Sequence, residues 1–193
     1  MTRIIAGTAG GRRIAAPDGR TTRPTSDRAR EALFASVQSD LGALDGLRVM
    51  DLYAGSGAIG LEALSRGAGH ALLVEADRRA ARVVQDNIRA LGLPGARLVA
   101  DRVERVVAAA NPGEPFDLVV ADPPYAVGDE EVAGVLADLV RNGWLAEDAV
   151  VVVERSKRGA EPAWPSGLER DRRRGYGEAV LWYARPSPST TLN

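Results

Sequence analysis

The stretch VVADPPY, residues 119–125, joins an apolar run typical of a buried strand to an acid, two prolines and a tyrosine. The Asp122 carboxylate and the Pro123 carbonyl could accept both N–H groups of an exocyclic base amine, which favours a pyramidal, nucleophilic nitrogen. Tyr125 could stack on the same base, an interaction worth about 1–3 kcal/mol. Taken alone, the stretch is equally typical of a proline turn that ends a strand. The candidate catalytic residues are Asp122, Pro123, Pro124 and Tyr125.

A second candidate, VMDLYAGSGAIG at residues 49–60, matches the pattern G-x-G-x-x-G through Gly55, Gly57 and Gly60. Glycines between a strand and a helix let the backbone approach a ligand at the positive end of that helix. The pattern alone is weak evidence, because the same glycines can serve a sharp strand-to-helix turn.

Three acids near the ends of successive strands narrow the choice of ligand. Asp51 could receive a cationic amino group, whereas a pyrophosphate would gain nothing from it. Glu75 follows Gly55 by 20 residues, the usual position of an acid that accepts ribose hydroxyls, and Asp101 could reach an adenine edge. The set favours S-adenosylmethionine over a dinucleotide, although Asp77 and Asp101 are also plausible helix N-caps. The candidate donor-binding residues are Asp51, Tyr53, Gly55, Ser56, Gly57, Glu75, Ala76, Asp101 and Arg102.

The chemistry predicted from these residues is direct transfer of the sulfonium methyl group to an amine. Positioning supplies most of the rate of such a reaction. Because the donor carries its own leaving group, we expect no metal.

The elements that must position these residues alternate along the chain after Gly46. We predict strands at 47–52, 70–76, 96–100, 117–121 and 149–154, and helices at 58–66, 77–91, 102–110 and 129–141. An amphipathic helix starting near residue 26 precedes them. The alternation predicts a doubly wound, mostly parallel, Rossmann-like α/β sheet, with a C-terminal antiparallel hairpin and a small N-terminal β-hairpin.

Composition and charge narrow the partner. The net charge is −1, yet residues 1–30 carry seven arginines against two acids. Such a basic segment on an acidic body indicates a polyanionic partner such as a nucleic acid, although arginine is also this chain's preferred cation throughout. The candidate nucleic-acid-binding residues are Arg3, Arg12, Arg13, Arg23 and Arg28. The chain has no cysteine and no long apolar run, so we expect a cytoplasmic protein without disulfides or membrane contact. We also expect a monomer, because the sequence shows no long exposed apolar stripe.

Three collinear blocks carry a family resemblance: RIIAGTAGGRRIAAPDG with RPTSDRAREALFASV, then DLYAGSGAIGLEALSRGA, then DPPY. Together they resemble the RsmD family of class I S-adenosylmethionine-dependent methyltransferases, from Arg3 to about Arg185. The resemblance implies methylation of a guanine N2 amine in 16S ribosomal RNA or the small ribosomal subunit. It further implies that the donor lies along Asp51, Gly55, Gly57, Glu75 and Asp101, that DPPY is catalytic, and that the N-terminal hairpin and RPTSDR grip the RNA.

We accordingly expect three regions: an RNA-gripping β-hairpin and linker over 1–25, a methyltransferase domain over 26–185 and a disordered tail over 186–193. Other functions remain open. A DNA adenine or cytosine amine methyltransferase would share D-P-P-Y, but 193 residues leave no space for a target-recognition domain. A nicotinamide-dependent oxidoreductase would use the glycine loop, and a non-catalytic RNA-binding protein would not need Asp122.

Overall fold

The structure, a computed structural model, describes residues 2–18 and 27–188. Within them a seven-stranded sheet has the order β5-β4-β3-β6-β7-β9-β8, and β1 and β2 form a separate hairpin. The strands are β1 (Thr2–Arg3), β2 (Arg13–Ile14), β3 (Arg48–Leu52), β4 (His70–Val74), β5 (Ala96–Val99), β6 (Phe116–Ala121), β7 (Leu145–Ser156), β8 (Leu168–Tyr176) and β9 (Ala179–Pro186). The helices are α1 (Asp27–Leu41), α2 (Ala58–Ser65), α3 (Arg78–Leu91), α4 (Val103–Ala108) and α5 (Asp129–Arg141).

Five central strands are parallel, and helices cover both faces of the sheet. Strands β3 to β7 pair in parallel, while β9 lies antiparallel between β7 and β8. Val150 and Val152 point to the face that carries α1, α2 and α3, and Val151 and Val153 point to the face of α4 and α5. The predicted doubly wound, mostly parallel sheet with its two antiparallel hairpins is confirmed. None of the described helices is long and apolar enough to cross a membrane.

Several strand boundaries differ from the prediction. Strand β4 ends at Val74 and β5 ends at Val99, so Glu75 and Asp101 lie in the loops beyond these strands. Strand β7 begins at Leu145, four residues earlier than predicted, because Leu145 pairs with Phe116 across an irregularity in the ladder. The predicted helix start at residue 26 lies outside the described residues, as do 19–25 of the linker and 189–193 of the tail.

The N-terminal segment, residues 2–15, is attached to α2 through a buried carboxylate. The Ile5 and Ala6 N–H groups donate to the two oxygens of Glu62, at 2.8 and 3.0 Å. Arg66 Nε donates to the same carboxylate at 2.9 Å, and buried Arg30 places its Nε 3.9 Å away. Glu62 therefore neutralises buried cations and satisfies two backbone donors at once.

Glycine is required where this segment crosses the end of α2. Gly7 has a φ of +80°, and a Cβ built there would lie 1.9 Å from the Ser65 carbonyl oxygen. The Thr8 N–H donates to the same oxygen at 2.8 Å, so the two backbones are in direct contact. Any side chain at position 7 would separate the segment from α2.

We predict that Glu62→Ala lowers the free energy of unfolding by about 3–5 kcal/mol, because it leaves two backbone N–H groups and Arg66 Nε without this acceptor and removes the charge that faces buried Arg30. Denaturant unfolding measures this loss. Glu31→Ala is the matched control, since it removes a second partner of Arg66 that is 53% exposed. The control should cost less than about 1 kcal/mol, and equal losses in the two variants would contradict the role of Glu62.

Candidate active site

A cavity of about 250 Å³ lies at the carboxyl ends of the parallel strands. Its walls come from the residues that follow each strand: Tyr53 after β3, Glu75 and Ala76 after β4, Arg102 after β5 and Pro124 after β6. Open α/β sheets bind their ligands at this edge. The structure thus brings five of the predicted site residues around one cavity.

The glycine loop, residues 54–57, passes from β3 into α2 beside this cavity. Gly55 and Gly57 have φ values of +62° and +82°, in the left-handed region that favours glycine. A Cβ on Gly60 would lie 2.9 Å from Leu73 Cδ2, so this glycine lets α2 pack closely on β4. The glycines therefore serve both the turn and the packing of the helix.

Tyr53 combines an unusual backbone with a perturbed hydroxyl. Its φ is +60°, which residues other than glycine rarely adopt and which is typical of functional sites. Burial raises the pKa of Tyr53 to about 12, and the nearby carboxylates of Glu104 and Glu131 act in the same direction while Arg155 opposes them. The phenol therefore stays protonated at neutral pH and is a hydrogen-bond donor at the cavity wall.

Glu75 holds two loops together while lining the cavity. Its Oε1 accepts from the Gly55 N–H at 2.8 Å, and its Oε2 accepts from the Asp77 N–H at 2.9 Å. A carboxylate oxygen can accept more than one hydrogen bond. Glu75 can therefore fix the glycine loop and also accept the hydroxyl of a ligand.

Asp51 lies beneath the glycine loop rather than in the cavity wall. Its Oδ2 accepts from the Gly60 N–H at 2.9 Å, and the residue is 3% exposed. Burial raises the pKa of Asp51 to about 7, the Glu75 charge adds to the shift and the Gly60 hydrogen bond opposes it. Asp51 therefore changes charge near neutral pH.

The two other acids differ in their roles. The Asp77 side chain accepts from the Ala80 N–H at 2.8 Å, so the alternative interpretation of Asp77 as an N-cap is confirmed. Asp101 accepts from the Arg102 N–H at 2.7 Å and lies 3.4 Å from Arg105 Nη1. It stands next to Arg102 in the chain but is not among the cavity-lining residues.

The DPPY segment presents its aromatic ring to solvent beside the cavity. Asp122 still contacts the sheet through its N–H, 3.4 Å from the Leu52 carbonyl, and Pro123 is buried. Tyr125 is 71% exposed, so most of its ring faces solvent. The Val127 N–H donates to the Pro124 carbonyl at 2.9 Å and closes the turn.

Arg155 fixes the chain that follows this turn. Its Nη2 donates to Asp129 Oδ1 at 2.8 Å and to the Val127 carbonyl at 3.4 Å. Because Arg155 lies on β7, it ties the turn and the start of α5 to the neighbouring strand.

Among the predicted RNA-binding arginines, Arg12 has a structural contact that the sequence did not indicate. Its guanidinium donates to the carbonyls of Ala90 and Leu91, at 2.5 and 3.1 Å, at the carboxyl end of α3. This end lies about 20 Å from the cavity-lining Asp77, the length of the helix. Arg13 and Arg28 are exposed, Arg3 pairs with Asp27 at 2.7 Å, and Arg23 lies outside the described residues.

Sequence reasoning missed several cavity residues. Glu104 and Glu131 lie in the first turns of the helices that follow β5 and β6. Their position directly after these strands could have identified them from the sequence as residues of this edge. Val103 and Val127 also line the cavity. In the part of the chain that the structure describes, no group of three or more His, Asp or Glu residues is placed to hold a metal ion.

Comparisons with known proteins agree with this geometry. A family model described as "Conserved hypothetical protein 95" matches residues 2–185. "Ribosomal RNA small subunit methyltransferase D" of Escherichia coli strain K12 is 37% identical over 182 residues, covering 92% of this chain and 86% of the relative. The chain belongs to the RsmD family of methyltransferases.

A second relative and a solved structure also match nearly the whole chain. "Putative rRNA methyltransferase YlbH" of Bacillus subtilis is 34% identical over 177 residues, covering 91% of this chain and 94% of the relative. The solved structure of "Putative methyltransferase yhhF from Escherichia coli" has a TM-score of 0.83 and 33% identity, and covers 96% of this chain and 98% of that one. The resemblance stated from the sequence motifs is confirmed.

We predict that Asp51→Asn stabilises this RsmD-family protein in a pH-dependent manner. The folded-state pKa of about 7 exceeds the ordinary value of 3.8, so ionising Asp51 costs the folded protein free energy. That cost grows as the pH rises towards 7 and is constant above it. Because the substituted side chain carries no charge, the melting temperature should exceed that of the wild type by at least about 2–4 °C at pH 8.

Thermal melts without ligand, at pH 5 and pH 8, measure this effect, and the gain should be smaller at pH 5. Asp86→Asn is the control, because Asp86 is 72% exposed on α3 and should show no such pH dependence. A gain of equal size at both pH values would contradict the raised pKa.

Proposed function

We propose that the protein transfers a methyl group from S-adenosylmethionine to the exocyclic N2 amine of a guanine in 16S ribosomal RNA of the small ribosomal subunit. The supporting observation is that the cavity lined by Glu75 and Arg102 adjoins, through Pro124, the exposed ring of Tyr125. The cavity can thus hold a small donor, and the adjoining DPPY segment can hold a base. The family and the names of its curated relatives support the RNA substrate.

The residues present suit the parts of the donor. In this proposal Glu75 accepts the ribose hydroxyls, Arg102 and its neighbour Asp101 contact the adenine, and the backbone of the glycine loop approaches the amino acid portion. Asp51, below that loop, supplies negative charge for the donor's ammonium group when its carboxyl group is ionised. The bound donor supplies an electrophilic sulfonium methyl group, so the chain's own residues need only bind and orient the amine.

The acceptor side is served by DPPY. The Asp122 carboxylate and the Pro123 carbonyl accept the two N–H groups of the amine, which localises the nitrogen lone pair. Proline has no N–H to compete for these acceptors, and Tyr125 stacks on the base once it has left its helix. Methylation forms one N–C bond and breaks one S–C bond, and the excess proton passes from the nitrogen to Asp122 or to water.

In this proposal the regions divide the work. Residues 26–185 carry the donor and the chemistry, and residues 1–25, together with Arg28 at the start of α1, contribute the RNA contact. Arg13 and Arg28 are exposed and suited to phosphates, whereas Arg12 is engaged with α3. Phosphate contacts position an RNA without reading its sequence.

The experiment that tests the function is transfer of labelled methyl from S-adenosylmethionine to small ribosomal subunits that lack the modification. Duplex DNA is assayed alongside, and the modified nucleoside is identified by mass. We expect N2-methylguanosine in the RNA. Label in DNA alone would overturn the proposed substrate while keeping the amine chemistry, and tight NADH binding without donor binding would overturn the proposed donor.

We predict that Asp122→Ala lowers the methylation rate by about 10²-fold or more, because the amine loses the acceptor that orients it. Single-turnover assays with saturating donor measure this. Glu130→Ala, an exposed change in the first turn of α5, is the control and should stay within about twofold of the wild type. Undiminished methylation by Asp122→Ala would refute the mechanism.

We also predict that glutamate substitutions of the adjacent residues Arg12 and Arg13 have different effects on stability. Arg13→Glu should weaken RNA binding while leaving the melting temperature and donor affinity intact, since Arg13 is exposed. Arg12→Glu should lower the melting temperature as well, because it puts a carboxylate beside the carbonyls that end α3. Filter binding at matched salt and thermal melts measure both effects, and unchanged RNA binding by Arg13→Glu would count against the N-terminal grip.

A further inference from the structure

Asn87 is a buried polar side chain that belongs to neither the cavity nor the DPPY segment. It lies on α3 and is 3% exposed. Its Oδ1 accepts from the Ala15 N–H at 2.9 Å, and its Nδ2 donates to the Ala15 carbonyl at 2.9 Å. The same Nδ2 donates to the Ser56 carbonyl at 2.9 Å. One amide therefore joins the N-terminal segment to the middle of the glycine loop.

The contacts fix the orientation of this amide. The Ala15 N–H requires an oxygen and the two carbonyls require hydrogens, so a flipped amide would lose the pattern. Both Nδ2 hydrogens are used on different segments of the chain. Displacing either segment therefore leaves a buried donor without its acceptor, which costs free energy.

The other attachments of the N-terminal segment end on helices. Glu62 and Ser65 bind the backbone of residues 5–9 from α2, and Arg12 binds the end of α3. Asn87 differs from them because it reaches the glycine loop. On the other side of that loop, Glu75 holds the Gly55 N–H. The glycine loop is thus held on one side by Glu75, which lines the cavity, and on the other by Asn87, which also binds the N-terminal segment.

We propose that Asn87 is a positioning residue that couples the N-terminal segment to the glycine loop, so that RNA and methyl donor raise each other's affinity. This inference rests on the proposed function. RNA held by the N-terminal segment stabilises the position of Ala15, and the donor stabilises the position of Ser56. Since Asn87 satisfies both positions with one orientation, each ligand favours the arrangement that the other requires.

The wild-type protein provides the first test. The dissociation constant for unmodified small ribosomal subunits is measured with and without saturating S-adenosylhomocysteine, and that for S-adenosylhomocysteine with and without subunits. Linkage requires the same factor in both directions, and we expect a factor of about 5 or more. A factor of one in the wild type would overturn the inference without need of any variant.

The variants then locate the coupling. Asn87→Ala removes all three hydrogen bonds and should bring the factor close to one. Asn87→Asp keeps the acceptor for the Ala15 N–H but places a carboxylate against the Ser56 carbonyl, so it should also reduce the factor. A wild-type factor in a folded Asn87 variant would overturn the assignment to this residue.

Ser65→Ala is the matched control. Ser65 Oγ accepts from the Ala9 N–H at 2.9 Å and donates to the Ala6 carbonyl at 2.6 Å, so it too binds the N-terminal segment. It lies at the other end of α2 from the glycine loop. Its loss should lower the melting temperature but keep the coupling factor, which distinguishes coupling from general loss of stability. A factor reduced as much as in Asn87→Ala would overturn the inference.

Failure of the inference and failure of the proposed function give different results. If subunits and S-adenosylhomocysteine both bind but neither changes the affinity of the other, the inferred coupling is wrong and the proposed function stands. If labelled methyl never reaches the RNA, the proposed function itself is wrong.

Discussion

The whole molecule depends on a parallel sheet that is buried on both faces. Strands such as β6 and β7 present apolar side chains to α1–α3 on one side and to α4 and α5 on the other. Polar groups inside such a sheet would lose their water without gaining partners. They are therefore placed where strands end, and parallel pairing brings these ends to one edge. The cavity is a consequence of this constraint, because the loops that follow β3, β4, β5 and β6 meet there.

The edge of the sheet where the parallel strands end contains two features that lower the stability of the fold. Asp51 is buried with a pKa raised to about 7, and Tyr53 has a φ of +60°. Neither feature is needed for the strand pairing of the sheet. Such local costs persist where the surrounding structure enforces them, and they concentrate at functional sites. Here the enforcing contacts are the hydrogen bonds that Asp51 and Glu75 accept from the backbone of the glycine loop and the first turn of α2.

Much of this site was predictable because it follows from local patterns. The strand positions required only apolar runs, and the acids and glycines were read by their distance from strand ends. The positions of Glu75 and Asp101 in loops were less predictable, because β4 and β5 end earlier than the apolar runs in the sequence suggest. Arg12, Glu62 and Asn87 could not be assigned, because the hydrogen bonds by which they attach the N-terminal segment to α2 and α3 join residues more than 50 positions apart in the chain. The sequence around a single Asn in a helix looks the same whether its side chain is solvated or joins two segments of the chain.

These long-range contacts change how the N-terminal segment should be viewed. Ile4, Ala9 and Ile14 belong to the same buried core as Leu61 and Val84. The segment therefore contributes to the stability of the domain through its apolar side as well as through its polar attachments to α2 and α3. Its other side is exposed to solvent at the second strand of the hairpin. An element packed in this way cannot move freely without disturbing α2 and α3, and these helices border the glycine loop and the cavity.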